Sequence, residues 1–387
     1  MTFSVPAADQ VAGDDPEAGG DPVARGARHP QRGWWRPWTS LALGISLAVV
    51  LGVVAAAWPL PYAIMKPGPA TDVLGEHVGA AGATEPRIVI EGTATYPTSG
   101  SLSFTTVRVA GGPGFPVYAW DLLNAWLSPA EEVVPVDALF PPEATQEQVA
   151  QENKAEMASS QQEAAAVALR ALGLQISQVV TVREVVTGSP AEGELKAGDV
   201  LISIAGRPAS DAAVIRESIQ SVTPGDAVDV VVRRDGSTVT ARPRTRGNDD
   251  GRTVLGILLS SSYALPFTVS IDAGNVGGPS AGLMFSLGIF DKLTDGAMTG
   301  GAAIAGTGTI DDAGRVGPIG GITQKMAGAR QSGASYFLAP EGNCREVTDH
   351  EPAGLQVVKV ATFAEARAAV EAIGAGRVDA LPRCAGA

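Results

Sequence analysis

Histidine, cysteine and lysine are scarce in this 387-residue chain, and each scarcity closes a chemical route. Three histidines (His29, His77, His350) and two cysteines (Cys344, Cys384), with no CxxC or HExxH, cannot assemble a zinc site of ordinary ligand spacing. No metal or other cofactor is expected. No GxxxxGK[ST] occurs either, so nothing in the sequence cradles the phosphates of ATP. Lys and Arg number 28 against 41 Asp and Glu, a net charge of −13 with no offsetting basic cluster downstream, which argues against nucleic acid as a partner.

What is present is apolar material: 45% of residues are hydrophobic, ample for two or three packed domains. Residues 1–37 are polar and Gly/Pro-rich, then carry Arg25, Arg28, Arg32 and Arg36, and read as a disordered cytoplasmic tail. No charge occurs from Pro37 to Met65. At ~1.5 Å per residue, the run 38–65 crosses a hydrocarbon core of about 30 Å as one transmembrane helix. Trp34, Trp35 and Trp38 on one side, with Trp58 and Tyr62 on the other, sit where interfacial aromatic belts belong. The arginines before the span keep the N-terminus inside and send everything after Lys66 out, giving a single-pass cell-membrane protein with extracytoplasmic domains. The alternative is a signal peptide cleaved near Ala55–Ala57, against which the long charged leader counts.

Beyond the span, PYAIMKPGPATDVLG reads as a stiff, Pro/Gly-punctuated exit segment. Ile88–Ile90 and Leu102–Val109 alternate as short strands around a turn at Pro97–Gly100. From Thr145 to Leu172 there is neither Pro nor Gly, which predicts a long helix with Val149, Met157, Ala164, Val167 and Ala168 in one stripe. Residues 175–246 form a separate β-rich module with a short helix over 212–221 and Gly-bearing turns at Gly198, Gly206, Gly225 and Gly236. These elements predict an α+β fold.

The chemistry lies in the last third. FTVSIDAGNVGGPSAGLMFSLGIFDKL runs from a strand through a Gly-rich turn into an apolar helix, with Ser280 at its start. Ser280 is either an N-cap or a nucleophile, the latter set among Gly278, Pro279 and Ala281 with helix-terminal N–H groups available to an oxyanion. A nucleophile needs a base, and the placement of the three histidines disfavours a Ser-His-Asp triad. The lysines are 66, 154, 196, 292, 325 and 359; of these Lys325 lies in RVGPIGGITQKMAGARQSGA, among small and apolar residues. Burial there would lower its pKa from about 10.4 toward neutrality, as a lysine base requires. Standing alone, it could equally be a solvated lysine on an amphipathic helix.

GPSAG at 278–282, Thr307-Gly308, PIGGI at 318–322 and Lys325 together resemble the proteolytic domain of the Lon-type Ser-Lys peptidases. The resemblance implies Ser280 as nucleophile, Lys325 as general base and Thr307 as a support for the lysine. One departure is Gly277, which stands where that family usually carries an acidic residue, with Asp272 and Asn275 further upstream. Ser189-Pro190-Ala191 followed by LKAGDVLISIAG resembles the PDZ domain of bacterial envelope proteases, which takes an extended peptide as an added strand. Its carboxylate-binding loop is expected just before Val180, although Ile176–Val179 lacks the familiar Gly-hydrophobic form; the module is alternatively a spacer. GSLSFTTV and MASSQQEAAAVAL resemble the start of the Lon proteolytic domain. The PDZ at 175–246 is therefore expected between two protease halves, roughly 86–174 within the segment 66–174, and 250–376; the alternative is a separate cap domain. The whole layout resembles the membrane-anchored PDZ/Lon-like proteases of Gram-positive bacteria, the YlbL family.

The expected function is a membrane-anchored, ATP-independent serine endopeptidase acting on unfolded or PDZ-docked proteins, assembled as a homo-oligomeric ring with a hexamer expected. The alternative is a catalytically inactive envelope scaffold. Export also exposes Cys344 and Cys384 to an oxidising environment, where a disulfide would pin the tail 377–387; the alternative is two free thiols.

Overall fold

The structure, a computed structural model, describes residues 36–79, 82–141, 143–248 and 250–384. The chain divides into two units, Met1–Ala55 and Ala56–Ala387. Up to residue 171 it forms α1 (Arg36–Ala57), β1 (Tyr62–Asp72), β2 (Glu76–Val78), β3 (Thr84–Pro86), β4 (Ile88–Glu91), β5 (Ser101–Ala110), α2 (Ala119–Trp126), β6 (Glu132–Pro135) and α3 (Gln146–Ala171). There follow β7 (Gln178–Val185), β8 (Val200–Ile204), β9 (Arg207–Pro208), α4 (Ala212–Gln220), β10 (Val230–Arg234), β11 (Ser237–Ala241), β12 (Arg246–Gly247), β13 (Thr253–Val254) and β14 (Ile257–Tyr263). The remainder supplies β15 (Thr268–Ile271), α5 (Gly282–Lys292), β16 (Ala303–Gly306), β17 (Thr309–Ile310), β18 (Val316–Gly317), α6 (Ile322–Gln331), β19 (Tyr336–Pro340), α7 (Cys344–Val347), β20 (Gln356–Val360) and α8 (Phe363–Gly374).

Residues 1–35 of the expected disordered tail, Trp34 and Trp35 among them, lie outside the described residues, and Arg36 and Pro37 open α1 instead. Among the described residues no helix is long and apolar enough to cross a membrane, the side chains of Arg36–Trp38, Ala55 and Ala56 lying outside them. The far end of the expected span is corrected. Pro59 and Pro61 cannot continue a helix, and the backbone turns extended by Tyr62. Ala63 and Ile64 are buried in a sheet instead, where Tyr62–Met65 pair with β6.

The stretch read as a stiff exit segment is likewise corrected: it is β1, held between β5 and β6. Its prolines are accommodated by an irregularity, the register against β5 shifting between Pro67 and Ala70. The six-stranded sheet runs β20-β19-β16-β5-β1-β6. β20, β19, β16 and β5 are parallel, while β1 and β6 are antiparallel additions. The junction of β16 with β5, Ala303↔Ser101 through Gly306↔Phe104, knits residues before 171 to residues after 268. One core does the same: Phe104, Met157, Ala164 and Val167 bury against Leu283, Phe285, Leu338 and Val358. α3 begins with a reciprocal cap, Thr145 Oγ1 accepting from the Gln148 amide and the Gln148 side chain accepting from the Thr145 amide.

Residues 178–263 carry a second sheet, β11-β10-β8-β7-β14, with its own core of Val180, Leu201, Ile204, Ile215, Val230 and Leu255. This shifts the expected boundary. β14, placed by sequence in the second protease half, pairs antiparallel with β7 from Ile257↔Val185 to Tyr263↔Gln178 and closes the inserted module. The segment before Val180, expected to hold a peptide, leads into an interior strand. β7 is flanked on both sides, so it has no free edge; the end strand is β14, preceded by Val254-Leu255-Gly256. Gly256 has φ +73°, and Ser189 packs where a Cβ would project, so glycine is required at this turn.

The C-terminal segment folds back along β20, the Lys359 amide donating to the Pro382 carbonyl (2.9 Å), with Leu381 buried. Cys344 at the start of α7 is disulfide-bonded to Cys384 across a separation of 40 residues. In the chain-entropy description such a closure stabilises by roughly 3 to 4 kcal/mol. Cys384→Ser should therefore lower the melting temperature by several degrees, and denatured, unreduced wild-type protein should show no alkylatable thiol. Two reactive thiols would contradict the bond.

Candidate active site

α5 and α6 bring the chemistry together across β16. Ser280 lies just before α5, whose N-cap is Ala281 and takes no side-chain cap, so the serine does not serve as a helix cap. Its Oγ is instead 2.6 Å from Lys325 Nζ on α6. The lysine also donates to Thr307 Oγ1 (3.0 Å), and Thr307 Oγ1 donates onward to the Ser280 carbonyl (3.0 Å). The Gly308 amide donates to that same carbonyl at 2.8 Å. Ser280 is thus held through its backbone while its hydroxyl faces the amine.

Lys325 is 4% exposed among Ile322, Met326 and Ala329. Burial alone pushes its pKa down to about 7, because the ammonium loses its hydration and gains no carboxylate. Tight packing of α6 onto β1 produces that burial. Gly328, one turn after the lysine, lies against the Gly68 carbonyl, so that any Cβ at 328 would strike it. The histidines are engaged elsewhere. His77 Nε2 pairs with Asp272 Oδ2 at 2.6 Å, the His350 ring bonds the Glu346 carbonyl, and His29 lies outside the described residues.

The nucleophile turn is braced by α3. The Gly278 amide donates to the Asn153 carbonyl (3.0 Å), with Gly278 at φ +85°, and the buried Ser160 Oγ donates to the Pro279 carbonyl (2.9 Å). Gly277 explains the missing acid: a Cβ there would lie 2.5 Å from that of Asn153, so the helix occupies the space a side chain would need. With the Gly278 amide taken, the amides of Ser280 and Ala281, which donate to nothing among the described residues, are the ones left to meet an oxyanion. Ser280 and Lys325 form part of the lining of a cleft of about 760 Å³, with Val107, Phe115, Phe140 and Val149 on its walls.

Sequence reasoning named Ser280, Lys325, Thr307 and the Gly278-Pro279-Ala281 turn, and these lie together. It missed Asn153 and Ser160 as braces, although Ser160 sits within the quoted MASSQQEA segment. It also missed the free edge of β14, whose signal was the Leu255-Gly256-Ile257 triplet. Among the described residues no group of His, Cys, Asp and Glu could hold a metal.

Comparison with known proteins agrees with the two domains. Residues 268–370 match the family model of the Lon protease (S16) C-terminal proteolytic domain, and residues 155–243 match a PDZ domain model. The PDZ match begins within α3, which the structure places in the protease core, and stops short of β14. Lon protease 2 of Bacillus subtilis (strain 168) is 34% identical over 90 residues, 23% of this chain and 16% of that protein. Lon protease 1 of the same strain is 36% identical over 72 residues, 19% of this chain and 9% of that protein. Among solved structures, the PDZ domain of an SdrC-like protein from Listeria monocytogenes aligns at 26% identity and a TM-score of 0.20, covering 21% of this chain and 85% of that one. The chain thus spans less than a fifth of these curated relatives. Within it, residues 268–370 are similar to a Lon-type proteolytic domain and residues 155–243 to a PDZ domain.

Proposed function

We propose that this protein is a membrane-anchored, ATP-independent serine endopeptidase in which Ser280 and Lys325 form the catalytic dyad. The observation that carries the reading is the 2.6 Å approach of a buried amine, its pKa lowered to about 7 by that burial, to the hydroxyl of a serine in an open cleft. Neutral Lys325 takes the Ser280 proton as Oγ attacks the scissile carbonyl, forming the C–O bond and an oxyanion that the Ser280 and Ala281 amides meet. The resulting ammonium returns its proton to the amine as the C–N bond breaks. Water, activated by the again-neutral lysine, then hydrolyses the acyl-enzyme. Thr307 keeps Nζ on the hydroxyl throughout.

Binding-only scaffolding draws no support from a dyad in hydrogen-bond contact. The PDZ reading rests on the position of β14 at the end of its sheet among the described residues, where an extended peptide can add as a further strand below the Gly256 turn. Anchoring rests on the uncharged run 37–57 behind four arginines, and the positive-inside tendency supports catalytic units outside the cytoplasm. Ring assembly is carried over from the resemblance to Lon-type domains. Independence from ATP rests on the lack of a phosphate loop, and without a motor the cleft admits only segments that are already extended.

The purified full chain should therefore degrade an unstructured, casein-like protein at a rate unchanged by ATP while sparing a stably folded domain. Stimulation by ATP, or equal loss of the folded domain, would contradict this selection of substrates.

A further inference from the structure

The second helix carries apolar groups on both of its faces. Inward, Ala125 and Leu122 pack against Ile64 and Val117. Outward, Trp120 is 66% and Trp126 82% exposed, with Leu123 and Leu127 beside them. Asp121 is occupied in closing the helix start, accepting from the Tyr118 amide at 3.0 Å, so the outward residues are held on a formed helix. Leaving two tryptophans and two leucines in water on one short helix is unfavourable unless something covers them.

Two observations indicate what does. Leu60 donates its amide to the Val117 carbonyl (2.8 Å), two residues before α2 begins, and Trp58, 67% exposed, stands between that bond and the end of α1 at Ala57. The point at which the uncharged run leaves the folded unit is therefore stapled to the base of α2. Moreover, the three tryptophans after residue 57, Trp58, Trp120 and Trp126, are all exposed. Tryptophan is the side chain best suited to the headgroup level of a bilayer, with an apolar body and one donor at its edge. Between Arg108 and Lys154 the sequence has no basic residue and seven acidic ones, so attraction to anionic headgroups plays no part. The same acids disfavour a second copy of the chain, since a self-complementary contact would bring them together.

We infer that the outward face of α2 docks on a phospholipid bilayer by inserting Trp120 and Trp126 at the headgroup level, independently of lipid charge. This rests on the proposal that the run 37–57 is a membrane anchor, and the experiment separates the two. The full chain carrying W34F/W35F/W38F/W58F retains Trp120 and Trp126 alone. It is reconstituted in zwitterionic phosphatidylcholine vesicles with or without lipids brominated near the headgroup end of the acyl chain. The expected result is flotation with the vesicles and at least a twofold loss of emission on bromination, the same when a third of the lipid is anionic. Flotation without bromolipid quenching would overturn the docking alone. In that case, free quenching by acrylamide means an open face, and protection from acrylamide means a second copy covers it. Quenching that requires anionic lipid would also overturn it, and failure to float would overturn the anchor and the docking together.

Discussion

Lys325→Arg should be as inactive as Ser280→Ala, with peptide hydrolysis reduced at least about a thousandfold in both. General-base transfer by a positioned side chain contributes roughly 10²- to 10⁴-fold, and arginine, always protonated, cannot supply it. Wild-type activity should rise with pH through about 7, the value to which burial lowers the lysine, because only the neutral amine removes the serine proton. One unit below that midpoint the rate should be about a tenth of its plateau, and above it the profile should flatten. Initial rates between pH 5.5 and 9 measure this directly. A conservative arginine variant that still turned over would remove the lysine from the mechanism, whatever its distance from Ser280.

Lys325→Met should abolish activity and at the same time make the protein more stable. The lysine titrates near 7 when folded but near its ordinary value of about 10.4 when unfolded, so between those values the unfolded chain binds more protons. Wild-type stability therefore increases as pH rises from about 7 to about 10, and at neutral pH the buried amine costs on the order of a few kcal/mol. Methionine fills the same space without a charge to desolvate, although it leaves Thr307 without its donor. At pH 7 the variant should melt a few degrees higher, given about 1–2 °C per kcal/mol for a chain of this length. The gap should narrow as pH approaches 10. A gap that was absent, or that widened with pH, would contradict the burial argument.

The site was legible because its chemistry is concentrated in short motifs. A serine in GPSAG, a lysine among small residues and an intervening Thr-Gly need no knowledge of strand order. α3 was legible for a similar reason, since 26 residues without Pro or Gly speak locally. What sequence reading misplaced depends on pairing over long separations. Pro67 and Pro69 disguise β1, because tolerance of proline there comes from the irregular register against β5 and cannot be seen from the strand itself. β14 belongs to the PDZ sheet only through β7, more than seventy residues earlier, while its own sequence is an ordinary alternating strand. The bracing of the nucleophile turn by Asn153 and Ser160 has the same origin, as does the absence of an acid at Gly277.

The central claim is that Ser280 is a nucleophile activated by Lys325, and a serine-reactive phosphonate probe tests it most directly. Incubated with the full chain at pH 8, the probe should attach to one residue, identified by peptide mass analysis as Ser280. Labelling should vanish in Ser280→Ala and fall to background in Lys325→Arg. Equal labelling of wild type and Ser280→Ala, or attachment at another serine, would contradict the account.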